Sequence, residues 1–171
     1  GNLYIDGGTI LVCGPTGNGN GALDYDGSCE ITGGILVAAG SSGMAEAPGS
    51  SSSQCSLMVI YSSTQPAGTP LALTAADGAL VAAFAPSKAY KNVVISAPAL
   101  KQGSAYALYT GGTGTGDAAG LYTAYSGGAK LCTVTLSAIT TSVSDSGQAV
   151  SGGMGGGMGG GGGPGGMGGR R

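Results

Sequence analysis

Residues 15–27, PTGNGNGALDYDG, form the loop of this chain whose side chains are best suited to chemistry. Asn18, Asn20, Asp24 and Asp26 alternate there with glycines, and Ca²⁺ prefers such amide and carboxylate oxygens as ligands. The loop lacks the spacing of an EF-hand, and Asn, Asp and Gly are also the ordinary residues of turns. The residues alone therefore favour a turn over a calcium site.

The composition argues against an enzyme. The 171-residue chain contains no His, which excludes nucleophiles activated by a histidine base. Carboxylates could act as an acid/base pair, but the placement of Asp24 and Asp26 on one face of a strand is equally common in turns and calcium sites. No Arg lies near them in the sequence to stabilise a carbanion. We therefore expect no catalysis.

Charged residues are few and unevenly placed. They make up 8% of the chain, and the net charge is −2. Without clustered Lys and Arg, a nucleic-acid partner is not expected. The acidic residues are concentrated before residue 47, whereas no Lys or Arg precedes Lys88. No apolar run approaches the ~20 residues of a membrane-spanning helix, so no span is expected.

Four cysteines, Cys13, Cys29, Cys55 and Cys132, bear on the compartment. An even number in a charge-poor, Ser/Thr-rich chain favours disulfides and an extracellular setting over four small buried thiols. The spacing does not choose among the three connectivities. We expect Cys55 to pair with Cys132, because the first and last strands of a sandwich often lie close together.

A repeat opens the chain. GNLYIDGGTILVCG (1–14) and GSCEITGGILVAAG (27–40) are offset by 26 residues, and each consists of a strand, a Gly-Gly corner and a second strand. Alternation places Leu3 and Ile5 on one face and Tyr4 on the other. Such units are typical of coils of a parallel β-helix, which we favour over two unrelated hairpins.

After a Ser/Gly-rich stretch, short β-like runs follow at regular spacing, which is typical of an antiparallel sandwich. Asp77-Gly78 and Gly127-Gly128 predict hairpin turns between neighbouring runs. The glycine-rich residues 110–120 predict an exposed loop.

The segments GNLYIDGGTI, GPTGNGNGALDYDGSCEITGGILVAAGSSGMAEAPGSSSSQ and FAPSKAYKNVVISAPALKQGSAYALYTGG closely resemble a known family. This is the family of bacterial carbohydrate-binding surface proteins described as polygalacturonate- and cellulose-binding β-helix proteins, in their C-terminal half. The likeness covers about residues 1–150. It implies a right-handed parallel β-helix, a following β-rich region, bound calcium and no catalysis. Most of that family's coils are missing here, and the four cysteines are not typical of it.

The resemblance also implies site residues. The unchanged GNGALDYDG places calcium on Asn20, Asp24 and Asp26. Sugar-binding faces combine aromatic rings with carboxylates. The candidate carbohydrate-binding residues are Tyr4, Asp6 and Tyr25, and the further candidate platforms are Tyr61, Tyr122 and Tyr125. For any single tyrosine, packing between modules is the commoner role. An acidic polysaccharide would need bridging by Ca²⁺, because the front of the chain is itself negative.

The tail, GGMGGGMGGGGGPGGMGGRR (152–171), has almost no side chains to bury. One hypothesis is head-to-tail assembly, in which the tail of one subunit contacts the next and covers an open sheet edge there. Methionines would fill apolar gaps and arginines would reach acidic groups. The assembly residues are Gly1, Leu3, Ile5, Met154, Met158, Met167, Arg170 and Arg171. A flexible tail is the alternative.

The sequence thus predicts an all-β chain of three parts. Short right-handed parallel β-helix coils occupy 1–48, an antiparallel β-sandwich-like module occupies 49–150, and a Gly-rich extended tail occupies 151–171. The predicted function is that of a non-enzymatic, extracellular or cell-surface carbohydrate-binding β-solenoid, acting as a subunit of a self-assembling fibre. The alternative is a monomeric, calcium-dependent module that binds polygalacturonate or cellulose and has a flexible tail.

Overall fold

The computed structural model describes residues 1–151, and that part of the chain is all-β, without a helix. Accordingly, no helix within it is long and apolar enough to cross a bilayer. The strands in this range are β1 (Leu3–Ile5), β2 (Thr9–Cys13), β3 (Cys29–Ile31), β4 (Ile35–Gly40), β5 (Ser56–Gln65), β6 (Leu71–Ala75), β7 (Leu80–Phe84), β8 (Tyr90–Ser96), β9 (Ala105–Thr110), β10 (Thr113–Gly116), β11 (Tyr122–Ser126), β12 (Ala129–Thr135) and β13 (Thr140–Ser144).

Two larger sheets give the chain a sandwich-like architecture. One has five strands in the order β13-β5-β8-β4-β2, and the other has four antiparallel strands in the order β12-β9-β6-β7. Their apolar side chains share one core cluster, to which the first sheet contributes Leu57 and Val93 and the second contributes Leu73 and Leu108. Two smaller pairs, β1-β3 and β10-β11, complete the strand pairing of the described residues.

The predicted β-helix over residues 1–48 is wrong. The two repeat units do pair in parallel at the expected offset, with Leu3 opposite Cys29 and Ile10 opposite Leu36. However, the other neighbour of β4 is β8, which runs antiparallel and also pairs with β5. Because β8 occupies the edge where a further parallel coil would be added, the units join a mixed sheet, and none of the sheets is solenoid-like.

The five-stranded sheet is buried on both faces. Leu57 points into the core shared by the two sheets, whereas its neighbour Met58 belongs to a second cluster with Ile5, Ile31 and Leu36. Residues from the first part of the chain therefore cover the outer face of this sheet. Burial on both faces explains the continuous apolar runs ILVAAG and SLMVI. A strand with one solvent-exposed face would instead alternate apolar and polar residues.

Glycines bend the long hairpin of β9 and β12. Gly111, Gly112 and Gly127 have φ values of 70°, 79° and 76°, and beyond this bend β10 and β11 pair separately. The hairpin turn predicted at Gly127-Gly128 is therefore wrong, since β11 and β12 do not pair with each other. Part of the predicted loop 110–120 is strand β10. The Asp77-Gly78 turn does connect β6 to its antiparallel partner β7.

The predicted disulfides are also wrong, because all four cysteines are free thiols. Cys55 precedes β5, whose sheet neighbours are β13 and β8, whereas Cys132 lies in β12 of the other sheet, opposite Leu108. Cys13 accepts a hydrogen bond at Sγ from the backbone N–H of Ser87 (3.3 Å). Cys29 is buried, with 1% of its surface exposed.

We expect the unreduced, denatured protein to react with four equivalents of a thiol reagent, because its four cysteines are unpaired. In the native protein, Cys29 and Cys55 should react last, since both are buried. Spectrophotometric thiol titration with and without denaturant measures this. Two equivalents or fewer in the denatured, unreduced sample would contradict the structure.

Candidate binding site

A cavity of about 420 Å³ opens beside β3. One wall is the segment 46–51, which is held against β3 by backbone hydrogen bonds. Within the segment, the N–H of Gly49 donates to the Cys29 carbonyl (2.7 Å). Just beyond it, the N–H of Gln54 donates to the Ile31 carbonyl (3.1 Å). Residues 25–29 form a second wall, and Met58 of β5 with Thr140 and Ser142 of β13 complete the lining, so that four separate parts of the chain build the cavity.

The lining combines an aromatic ring, a carboxylate, a thiol and many hydroxyls. It consists of Tyr25, Gly27, Ser28, Cys29, Glu46, Ala47, Pro48, Gly49, Ser50, Ser51, Met58, Thr140 and Ser142.

Tyr25 is fixed in the wall at both of its ends. Its backbone N–H donates to Oε2 of Glu46 (3.2 Å), and its hydroxyl donates to the Ala47 carbonyl (2.6 Å). The ring packs against the second core cluster, and this burial, with the charges of Cys29 and Glu46, raises the pKa of Tyr25 to about 12. The side chain therefore lines the cavity as a neutral phenol.

Glu46 lies in a negative potential. Its pKa is raised first by burial and then by the charges of Asp24 and Asp26, although the hydrogen bond from Tyr25 opposes the shift. Burial, with the nearby glutamates, also raises the pKa of the Cys29 thiol to about 11. That thiol is therefore protonated at neutral pH and a weak nucleophile.

Four serine hydroxyls of the lining are free to bind a ligand. The side chains of Ser28, Ser50, Ser51 and Ser142 make no hydrogen bond to any other residue within 1–151. In contrast, Oγ1 of Thr140 donates to the Pro48 carbonyl (2.5 Å) and helps to fix the wall. The cavity thus presents several unpaired donors and acceptors close to one carboxylate.

Of the predicted carbohydrate-binding residues, only Tyr25 lines the cavity. Tyr4 is 58% exposed and accepts a hydrogen bond at its hydroxyl from Nδ2 of Asn2 (3.0 Å). Asp6 accepts one at Oδ1 from Oγ1 of Thr32 (2.7 Å). These two residues lie at and just after β1, outside the cavity.

The further tyrosine platforms are mostly used for packing. Tyr61 is buried and contacts Tyr90 edge-on, with 5.4 Å between ring centroids, so it offers no face to a ligand. Tyr122 is half-buried, and its ring lies against Gly114 of the paired strand β10. Tyr125 is half-buried and donates its hydroxyl to the Gly111 carbonyl (2.7 Å).

No hydrogen bond within residues 1–151 joins the predicted calcium ligands to one another, although Asp24 and Asp26 are both exposed and both close enough to Glu46 to raise its pKa. Oδ1 of Asn20 accepts the N–H of Gly21 (3.0 Å), as in an ordinary turn. The Asp26 side chain is 98% exposed and lies 3.2 Å from the amino group of Gly1. In the described part of the chain, His, Cys, Asp and Glu form no group of three or more that could hold a metal. Calcium binding stays a prediction.

The predicted assembly residues fall into two sets. Ile5 is buried in the second core cluster and Leu3 packs against it, whereas Gly1 is exposed. The Ile5 side chain therefore belongs to the core, whereas the half-buried Leu3 packs at its margin. The remaining members, Met154, Met158, Met167, Arg170 and Arg171, lie outside the described residues.

Sequence reasoning missed Glu46 and the serines at 50 and 51 as site residues. The 26-residue offset of the repeat was a signal for the two serines, whereas Glu46 contacts Tyr25 at a separation of 21 residues. The N–H of Ser41 donates to the Pro15 carbonyl (2.9 Å), so the offset of 26 residues persists beyond the end of the repeat. Following that offset would have brought the segment after Ser41 beside the loop that contains Tyr25.

Comparison of the chain with family models, curated proteins and solved structures found no match. The site is therefore interpreted from its own chemistry. An aromatic side chain, one carboxylate and several free hydroxyls around a cavity suit a ligand that is rich in hydroxyl groups.

Replacing Glu46 with glutamine should remove a pH dependence of stability. Because the folded state raises the pKa of Glu46 above its ordinary value of 4.5, the folded protein holds this proton more tightly than the unfolded chain does. Stability from this group is therefore present below pH 4.5 and is lost as the pH rises through the folded pKa.

Glu46→Gln keeps an acceptor for the N–H of Tyr25, so we expect it to be at least as stable as the wild type at pH 7. The gap between variant and wild type should shrink or reverse towards pH 4. Urea denaturation across this range measures it, and Glu30→Gln controls for the loss of one negative charge outside the cavity lining. A stability difference between Glu46→Gln and the wild type that does not change with pH would contradict a raised pKa of Glu46 in the folded state.

Proposed function

We propose that this protein is a non-enzymatic, extracellular or cell-surface carbohydrate-binding protein, and that the cavity beside β3 holds a sugar unit. The observation that carries the proposal is the convergence of Tyr25, Glu46 and four free serine hydroxyls on a space of about 420 Å³. Sugars present C–H faces that pack on aromatic rings and hydroxyls that pair with carboxylates and serines.

Charge favours a neutral sugar at this cavity. Glu46 is close enough to Asp24 and Asp26 for their charges to raise its pKa. An acidic polysaccharide would therefore be repelled unless a divalent cation lay between its carboxylates and these side chains. Cellulose-like chains should bind without added metal, whereas polygalacturonate should need Ca²⁺.

The chemistry of the lining supports binding rather than catalysis. The thiol of the lining is that of Cys29, whose raised pKa of about 11 keeps it protonated at neutral pH. The hydroxyls have no histidine to activate them, since the sequence contains none.

Affinity electrophoresis in gels that contain a soluble neutral glucan tests the proposal. Ser51→Ala should weaken the retardation of the protein by the glucan, because it removes a free hydroxyl of the lining. Glu46→Gln should lower the affinity for the glucan by about tenfold, because it removes a charged hydrogen bond. Ser53→Ala is the matched control, since Ser53 is exposed two residues after Ser51 but does not line the cavity. Unretarded wild type, or equal retardation of the three variants, would count against the proposal.

The predicted binding of Ca²⁺ has a separate test. If Ca²⁺ binds at Asp24 and Asp26, added Ca²⁺ should raise the melting temperature, and Asp24→Asn should abolish that rise. The same metal should enable retardation by polygalacturonate. An identical melt in Ca²⁺ and in excess EDTA would exclude calcium and leave the neutral-sugar proposal standing.

A second candidate function is that of a subunit of a surface fibre, and the observation that favours it is strand β2. Within residues 1–151, β2 forms one edge of the five-stranded sheet. Its sequence, TILVC, lacks the charges and prolines that protect edge strands from pairing with another chain.

A second copy of the chain is the proposed partner of this edge. Thr9 is the exposed residue of β2, and Thr9→Lys should block pairing while leaving the fold intact. Analytical ultracentrifugation over a range of concentrations compares the two proteins. Wild type that stays monomeric at all concentrations would contradict this candidate.

A further inference from the structure

Two Asn-Gly dipeptides lie in the loop that follows β2, namely Asn18-Gly19 and Asn20-Gly21. An asparagine side chain can be attacked by the backbone nitrogen of the next residue, and glycine hinders this least because it has no Cβ and permits many backbone conformations. The two dipeptides have the same chemistry but different surroundings.

The Asn20-Gly21 backbone is held in place. The N–H of Gly21 donates to Oδ1 of Asn20 (3.0 Å), and the Asn20 carbonyl accepts a hydrogen bond from the Ser41 hydroxyl (2.6 Å). Gly21 is buried and packs against the backbone carbonyl of Met44. The Ser41 hydroxyl and the packing of Gly21 therefore hold the Asn20-Gly21 backbone against the rotation that closure of a five-membered imide requires.

The Asn18-Gly19 backbone is free at the corresponding nitrogen. Both residues are exposed in a turn, and the N–H of Gly19 makes no hydrogen bond to the rest of residues 1–151. The space around Gly19 is also open, since an added Cβ would meet no atom within 4 Å.

We infer that Asn18 is a site of spontaneous deamidation. The backbone nitrogen of Gly19 attacks Cγ of Asn18 and forms a C–N bond, its proton passes to solvent, and the side-chain nitrogen leaves with a proton from solvent as ammonia. Water then adds to either carbonyl of the resulting cyclic imide and breaks the C–N bond there. The products are aspartate or isoaspartate at position 18, and each carries one new negative charge.

The two products have different consequences for the fold. Asn18 shares a small cavity of about 200 Å³ with Lys91, so the aspartate product gains a cation nearby. Isoaspartate instead inserts a methylene into the backbone. The backbone of Asn18 lies tightly against Gly43, where an added Cβ would be 2.7 Å from Cα of Asn18. Isoaspartate should therefore displace the loop after β4.

Ageing the full chain at neutral and mildly alkaline pH tests this inference. Fragmentation mass spectrometry should find a gain of one mass unit at Asn18, several-fold faster than at Asn20 and faster at the higher pH. Gly19→Ala, which the open space accommodates, should slow conversion at 18 several-fold, and Asn20→Gln should leave it unchanged. No conversion at 18, faster conversion at 20, or no effect of Gly19→Ala would overturn the inference.

Thermal denaturation of the products tests the consequence. Asn18→Asp should melt at or above the wild-type temperature because of Lys91, and the isoaspartate fraction, separated by ion exchange, should melt lower. An isoaspartate fraction as stable as Asn18→Asp would overturn the assigned packing against Gly43.

Discussion

Alanine at Gly34 is expected to lower the free energy of unfolding by about 4 kcal/mol or more, whereas alanine at Gly8 should cost about 1–2 kcal/mol. The two glycines are equivalent positions of the repeat, and their φ values are alike, 86° and 84°. Both substitutions therefore carry the same penalty for a left-handed backbone.

The difference between the two positions is steric. A Cβ at Gly34 would lie 2.6 Å from both the Gly7 carbonyl carbon and the Gly8 carbonyl oxygen, whereas a Cβ at Gly8 would meet open space. Backbone atoms cannot rotate away as a flexible side chain can, so the stacked corners would have to separate. Urea denaturation of both variants measures the difference, and equal losses at the two positions would contradict the stacking of the repeat units.

Met58→Ala and Leu57→Ala should each lower the free energy of unfolding by about 2–5 kcal/mol. These neighbours on β5 point to opposite faces of the five-stranded sheet, yet both are buried, with 2% and 0% of their surface exposed. A large loss of stability at both positions requires that a second layer of side chains cover the outer face of the five-stranded sheet. Residues Ile5 and Ile31 of the repeat units belong to that layer.

Ile60→Ala is the matched control for Met58→Ala, because Ile60 lies on the same face two residues further along and is only half-buried. Ile60→Ala should lower the free energy of unfolding by clearly less than Met58→Ala does. If Met58→Ala stayed within about 0.5 kcal/mol of the wild type, as surface substitutions do, the repeat units would not pack on this sheet.

The pairing within the repeat could be predicted because it is local. The offset of 26 residues places Leu3 opposite Cys29 and Ile10 opposite Leu36, as the structure has them. The strand on the other side of β4 could not be predicted in the same way. β8 begins at Tyr90, fifty residues beyond the end of β4. The sequence of a strand that is buried on both faces also does not show whether it pairs parallel or antiparallel with its neighbour.

The remaining errors have similar causes. Gly127-Gly128 has the composition of a tight turn, but whether it reverses the chain or bends a hairpin depends on which strands pair across it. The disulfides were predicted from composition and number, which say nothing about the distance between thiols. Glu46 was missed because its neighbour Tyr25 is 21 residues away, in a contact made only by stacking of the two loops.

The most direct test of a sugar unit in the cavity beside β3 is a titration of isotope-labelled protein with a neutral cello-oligosaccharide, followed by NMR. The account predicts that the largest shifts of amide resonances occur in residues 25–29 and 46–51, which form the cavity wall. Saturation of these shifts would also give the affinity. No shifts at millimolar oligosaccharide, or shifts centred on Tyr4 and Asp6 instead, would contradict it.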